Sequence, residues 1–198
     1  MSSKADVTFV TSNKGKAREV GEIFKRHGMR LKVFYGETME IQSDSLSEVA
    51  VFRALHAYRI LKRSVFVEDA GLFIKSLGGF PGPYSSYVYR TIGLLNLLKM
   101  LDGKDRRAYF QSTVCYYDGA SAPKLFEGVC RGFIAVKPSG TKGFGFDPVF
   151  VPEGENKTFA QMSSEEKNIV SHRGVSVGKL CRWLYKVRKQ PNRGRENG

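Results

Sequence analysis

Apolar and polar positions along this chain follow two alternating periods. Residues 6–11 (Asp6, Val7, Thr8, Phe9, Val10, Thr11) read as a first strand. Residues 15–27 read as a helix, because Val20, Ile23, Phe24 and His27 recur at i, i+3, i+4 and i+7. Residues 30–35 resemble a second strand. Ser45 with Glu48 has the spacing of a capping box, which predicts a helix running to about Arg63 with Ala50, Ala54, Ala57 and Leu61 on one face. Residues 64–68 predict a third strand that ends at two adjacent acids, Glu68 and Asp69. A β-α-β-α-β order implies a mixed α/β sheet.

Farther along, Gly78-Gly79-Phe80-Pro81-Gly82-Pro83 breaks the chain, and a helical stretch over roughly 84–101 follows. Residues 107–118 and 124–137 are rich in β-formers and are expected to pair antiparallel around Asp118-Gly119. A glycine-rich loop covers 139–148. Ser163 with Glu166 repeats the capping-box spacing, and a final helix spans roughly 173–189. No internal repeat or long linker appears. Residues 1–189 therefore read as a single domain, with a basic, disordered tail at 190–198.

Composition narrows the setting. The chain of 198 residues lacks any run of about 18 apolar residues, so no membrane span is expected. Met1 to Asp6 lead straight into a strand pattern, without the apolar region of a signal peptide. The three cysteines, Cys115, Cys130 and Cys181, match no zinc spacing, and an odd count argues against a disulfide framework; a reducing cytoplasm is expected. The net charge is +13, and residues 179–198 hold seven Lys/Arg against the single acid Glu196. The rest of the chain is moderately basic, which suits a polyanionic ligand.

Four constellations could carry chemistry. Thr11-Ser12-Asn13-Lys14-Gly15-Lys16 joins a strand to a helix, where backbone N–H groups hold phosphate oxygens; it is not a Walker A loop. The alternative reading is a capped turn with solvated lysines. Glu40, Glu68 and Asp69 offer the hard oxygen ligands that suit Mg²⁺, which takes one or two carboxylates plus substrate phosphates; they could equally be loop and turn acids. Gly143-Phe144-Gly145-Phe146-Asp147-Pro148 places glycines beside aromatics, leaving a ring face to stack on a base, or else forming a turn over core phenylalanines. Lys167 precedes Ser171-His172-Arg173-Gly174 by one or two helical turns, and its cation with His172 and Arg173 could donate to a purine carbonyl, or else His172 is a structural histidine. His27 and His56 sit at helical spacing and read as structural.

In this order, Thr11 to Lys16, Val67-Glu68-Asp69-Ala70-Gly71-Leu72, Gly78 to Tyr84, Gly143 to Pro148 and Ser171 to Gly174 resemble the inosine triphosphate pyrophosphatase family, over about Val7 to Tyr185. The resemblance implies an elongated mixed β-sheet flanked by helices, in two lobes with a central cleft, usually as a homodimer. It implies Mg²⁺-dependent hydrolysis of ITP, dITP and XTP to the monophosphate and pyrophosphate. By the same resemblance Thr11, Ser12, Asn13, Lys14, Gly15 and Lys16 hold the triphosphate. Glu40 and Asp69 serve the metal, with Asp69 as general base, Lys16 as the catalytic cation and Ala70 touching substrate through its backbone. Phe144, Gly145, Phe146, Asp147, Lys167, His172 and Arg173 form the base pocket. The chain departs from the family's pattern in two places: Ser85-Ser86-Tyr87 follows Tyr84 where relatives carry a basic residue, and Arg53 stands where they often carry lysine. Two other expectations compete, a pyrophosphatase of modified pyrimidine nucleotides and a basic nucleic-acid-binding module.

Overall fold

The computed structural model describes residues 7–189, so the disorder expected of 190–198 lies outside the described residues. Within them one seven-stranded sheet runs β2-β1-β3-β5-β6-β7, with β4 attached to β3. β1 (Thr8–Val10) lies parallel to both β2 (Lys32–Phe34) and β3 (Val65–Ile74). Helix α1 (Lys14–Arg26) connects β1 to β2, and α2 (Leu46–Leu61) connects β2 to β3. The remaining ladder is antiparallel: β3 with β4 (Pro81–Gly82) and β5 (Arg107–Tyr117), then β6 (Lys124–Ile134) and β7 (Phe150–Pro152). Such a mixed sheet is what the β-α-β-α-β reading implies.

Two helical expectations change in detail. The stretch over 84–101 is two helices, α3 (Ser85–Thr91) and α4 (Gly93–Met100), because Gly93 takes a φ of +77° that a continuing helix does not allow. At the start of α2 only half the capping box forms: Ser45 Oγ accepts from the Glu48 N–H, while the Glu48 carboxylate accepts from the Ser43 hydroxyl. The box at the start of α5 (Ser164–Val170) is complete, with Ser163 and Glu166 satisfying each other's backbone. The last helix, α6, spans His172–Lys189.

The largest correction concerns β3. It does not stop at Glu68 but continues to Ile74, so the two acids are its fourth and fifth residues of ten. Antiparallel pairing with β5 continues over the whole length, from Val65↔Tyr117 to Ile74↔Ala108, and sustains the strand through Glu-Asp-Ala-Gly. The parallel partner β1 stops opposite Phe66. The acids therefore do lie beyond the end of the parallel ladder, the usual location of an α/β crevice.

Three apolar clusters surround this point. Phe9, Phe66 and Val114 pack under α1 and α6 with Phe24, Val177 and Leu180. On the opposite face Val10, Val65, Val67 and Cys115 pack under α2 with Ala50, Ala54 and Ala57. Beyond Leu72 on β3 and Phe110 on β5 a third cluster begins, with Leu97, Ile134, Phe150 and Phe159. Between the clusters the central strands carry Glu68, Asp69, Ser112 and Thr113, all buried. A polar waist thus crosses the middle of an otherwise apolar sheet.

Candidate active site

Side chains alternate across a strand, so neighbours point to opposite faces. Glu68 and Asp69 consequently do not share one pocket. Glu68 projects with Phe66 toward α6, and Asp69 projects with Val67 toward α2; their partners come from those helices.

Glu68 is 2 % exposed and anchors the α6 side. Ser112, its neighbour on β5, donates to Oε1 at 2.7 Å and meets the Ser176 hydroxyl at 2.8 Å. Arg173 approaches the carboxylate at 3.2 Å, and Lys16 Nζ lies 2.9 Å from both Oε2 and the Glu68 carbonyl oxygen. Burial opposes ionisation, but Arg173, Lys16 and the Ser112 bond outweigh it and hold this carboxyl well below the usual range. Arg173 also binds Glu19 of α1, whose other oxygen lies 2.6 Å from Lys167 Nζ. Lys167 in turn reaches Asp147 at 2.6 Å. Buried charges persist only when paired, and here a continuous chain Lys16–Glu68–Arg173–Glu19–Lys167–Asp147 links α1, β3, α5 and α6 to the glycine-rich loop.

Gly128 on β6 permits α6 to begin at this spot. A Cβ there would lie 2.1 Å from the His172 carbonyl oxygen and 2.6 Å from the Ser176 nitrogen. His172 is 3 % exposed and its ring stacks on Phe110, with centroids 4.5 Å apart. Burial and the neighbouring Arg173 push its pKa well below the usual value, so the imidazole is neutral at pH 7.

On the α2 side Arg53 contacts Asp69 Oδ1, lies 3.3 Å from Glu40 Oε1, and donates through Nε to Thr38 at 2.8 Å. Asp69 Oδ2 is buried without a hydrogen-bond partner. Burial holds the Asp69 carboxyl above its usual range, against the pull of Arg53 and Lys16. Glu40 lies on the loop before α2 with its side chain 63 % exposed. No group of three or more His, Cys, Asp and Glu side chains placed to hold a metal occurs among the described residues. The two-carboxylate arrangement, with the unspent Oδ2 of Asp69, fits Mg²⁺ of the kind held mainly by substrate phosphates.

The glycine-rich loop folds back on the β1–α1 turn. Asn13 caps α1, accepting from Lys16 N–H at 3.0 Å, and Thr11 Oγ1 accepts from Asn13 N–H. Gly15 lies against the Phe144 ring, where an added Cβ would come within 2.6 Å. Lys167 Nζ and the Arg173 guanidinium lie 5.2 and 5.5 Å from the centre of that ring. Asp147 fixes the turn by accepting from Phe144 N–H at 2.8 Å. Thr11 to Lys16, Phe144, Asp147, Lys167 and Arg173 thus converge around the start of α1. Glu40 and Asp69 sit on the other face of β3, with Ala70 half-buried on the strand between. Ser12 and Lys14 are exposed, Gly145 is a turn residue with φ of +62°, and Phe146 is a core residue, 4 % exposed, with the exposed Tyr89 edge-on to it.

Sequence reasoning passed over Glu19, Ser112 and Ser176. Glu19 carried a usable signal, since it falls four positions before the buried Ile23 and so shares its side of α1. Ser112 and Ser176 carried none, as their role depends on β5 and α6 meeting over Glu68. Ser85, on the departing segment, is structural: its hydroxyl accepts from Leu72 N–H at 2.7 Å and donates to the Gly82 carbonyl oxygen at 2.6 Å.

Fold and site together define a mixed α/β protein in which the capped β1–α1 turn faces a buried belt of paired charges. Residues 7–183 match the model of the Ham1 family, and the chain belongs to that family. It is 49% identical to a protein of Hyperthermus butylicus named dITP/XTP pyrophosphatase, over 90% of this chain and 94% of that one. A protein of the same name from Thermococcus kodakarensis is 46% identical, over 90% and 96%. Among solved structures, a HAM1 protein of Coxiella burnetii superposes with a TM-score of 0.79 at 27% identity, over 91% of this chain and 98% of that one. The Ham1 protein of Staphylococcus aureus gives 0.77 at 28% identity, over 91% and 99%.

Proposed function

We propose that this protein is a nucleoside-triphosphate pyrophosphatase that hydrolyses dITP, ITP and XTP to the monophosphate and pyrophosphate, removing deaminated purines from the nucleotide pool. The relatives' shared name supports the reaction. The observation that carries it for this chain is the union of the β1–α1 turn, Phe144 and the Lys167–Arg173 pair at one end of the cleft.

In this reading the N–H groups at the start of α1 and Lys16 take the triphosphate. Water attacks the α-phosphorus and pyrophosphate leaves. Asp69, whose carboxyl burial holds above its usual range, accepts the proton of that water. Lys16 sits between the Glu68 carbonyl and the phosphate-binding turn, where charge develops on the leaving oxygens. Glu40 and Asp69 would hold Mg²⁺, which when bound would supply Lewis-acid neutralisation of the phosphates.

Base choice follows from donor polarity. Lys167 has three N–H donors and directs two at Glu19 and Asp147, leaving one for a 6-carbonyl. Adenine presents a 6-amino donor there instead, and leaving a buried polar group unpaired costs about 1–3 kcal/mol. Phe144 offers a face for the base. Exposed Tyr87 (61 %) on α3 and Leu95 (65 %) on α4 support a homodimer, and three buried free cysteines support a reducing cytoplasm.

The test is pyrophosphate release from dITP, ITP, XTP, GTP, ATP, dTTP and UTP, each with and without Mg²⁺. Preference for the deaminated purines, with activity lost in EDTA, is the expected outcome. Equal turnover of ATP, or preference for a pyrimidine nucleotide, would overturn it.

A further inference from the structure

Arg53 lies between the two carboxylates assigned to the metal. A single nitrogen, Nη1, contacts Asp69 Oδ1 and stands 3.3 Å from Glu40 Oε1. The side chain is 9 % exposed, and its Nε is separately tied to Thr38 Oγ1 at 2.8 Å. A divalent ion bridging Asp69 Oδ1 and Glu40 Oε1 needs the position this nitrogen takes. It cannot share that position, because volume and like charge both forbid it. Meanwhile Asp69 Oδ2 is sealed from solvent without a partner, so the carboxylate has ligating capacity it does not use toward Arg53.

From this geometry we infer that Arg53 is a built-in counter-cation that exchanges with Mg²⁺. It neutralises Asp69 and draws in Glu40 when no divalent ion is bound, and it yields both carboxylates when the ion enters. Resting on the pyrophosphatase reading, the exchange couples metal entry to nucleotide arrival: the triphosphate brings the ion and at the same time gives the released guanidinium an anion. The Thr38 bond keeps the guanidinium in the cleft during the exchange. This tether is specific to arginine, since a lysine ammonium has no second nitrogen along its stem to hold while its tip lets go. Glu40, on an exposed loop, has the freedom to re-aim that the strand-borne Asp69 lacks.

The experiment titrates MgCl₂ into the nucleotide-free full chain by calorimetry, for the native protein, Arg53→Met and Arg53→Lys. Removing the competing charge is expected to tighten Mg²⁺ binding about tenfold in Arg53→Met, with Arg53→Lys in between. In parallel, Arg53→Met is expected to melt below the native protein in EDTA and to recover with Mg²⁺, whereas the native protein responds little to the ion alone. If Arg53→Met does not fold, the native-to-Arg53→Lys comparison alone decides. Equal Mg²⁺ affinity across the folded variants, or tightest binding by the native protein, overturns the exchange. Because no nucleotide is present, this readout is independent of the substrate panel, and either reading can fail while the other stands.

Discussion

At the scale of single residues, the candidate site is governed by pairing of buried charge. Glu19 shows this best. It is 8 % exposed and neutralises Lys167 and Arg173 together, and burial of its carboxyl is outweighed by those two cations, which lower its pKa. Removing one member of such a network leaves an uncompensated charge, which costs about 3–5 kcal/mol. Glu19→Gln is therefore expected to lose stability of that order in urea unfolding. It should also narrow the preference for dITP over dATP, since Lys167 and Arg173 lose their common anchor. The cations around Glu19 were legible in the sequence, because Lys167, His172 and Arg173 cluster in the chain. Their partners were not. Nothing local connects Glu19 to Lys167 across 148 positions. The pair Glu68-Asp69 was legible as an anomaly but not as two acids paired on opposite faces of a strand. The division follows only from a strand continuing through both residues, and that continuation depends on β5.

At the scale of elements, contact between β6 and α6 places Arg173 and His172. It requires Gly128, whose added Cβ would meet backbone of α6 at 2.1 Å. Backbone cannot give way as a flexible side chain does, so Gly128→Ala is expected to cost about 1–3 kcal/mol and to raise KM by displacing the start of α6. Gly21, in the middle of α1, has nothing within 4 Å of an added Cβ. Gly21→Ala is expected to be neutral, or to stabilise by about 0.5–1 kcal/mol through helix propensity. Thermal melts of the two variants, side by side, check the contrast. Periodicity found α1, α2 and α6 to within two residues, because each buries one stripe. It failed at β3 and at α3/α4, where the deciding facts were a cross-strand partner and a left-handed glycine.

At the scale of the whole molecule, the charge belt makes stability depend on pH. His172 is buried with its pKa well below 6.5, so the unfolded chain takes up a proton there that the native protein does not. Its contribution is present in full above about pH 6.5 and is lost as the pH falls below that value. Glu68 and Glu19 are also lowered in the native state, and their contributions are present above about pH 4.5 and lost on further acidification. Asp69 and Asp147 are raised and act in the opposite sense above 3.8. Urea midpoints measured from pH 7.5 to 5.5 isolate the histidine: the native slope is expected to flatten in His172→Asn, which cannot titrate in this range.

From the sequence alone came the class of fold, the capped turn before α1, the two acids and the basic cluster, since each is a local pattern of period, capping or charge. Tertiary structure alone decided which groups meet. The polar waist between apolar clusters, the separation of Glu68 from Asp69, and the seating of Arg53 between Asp69 and Glu40 all arise from contacts distant in the chain. Burial makes each of those contacts consequential, because a charge without its partner there costs several kcal/mol.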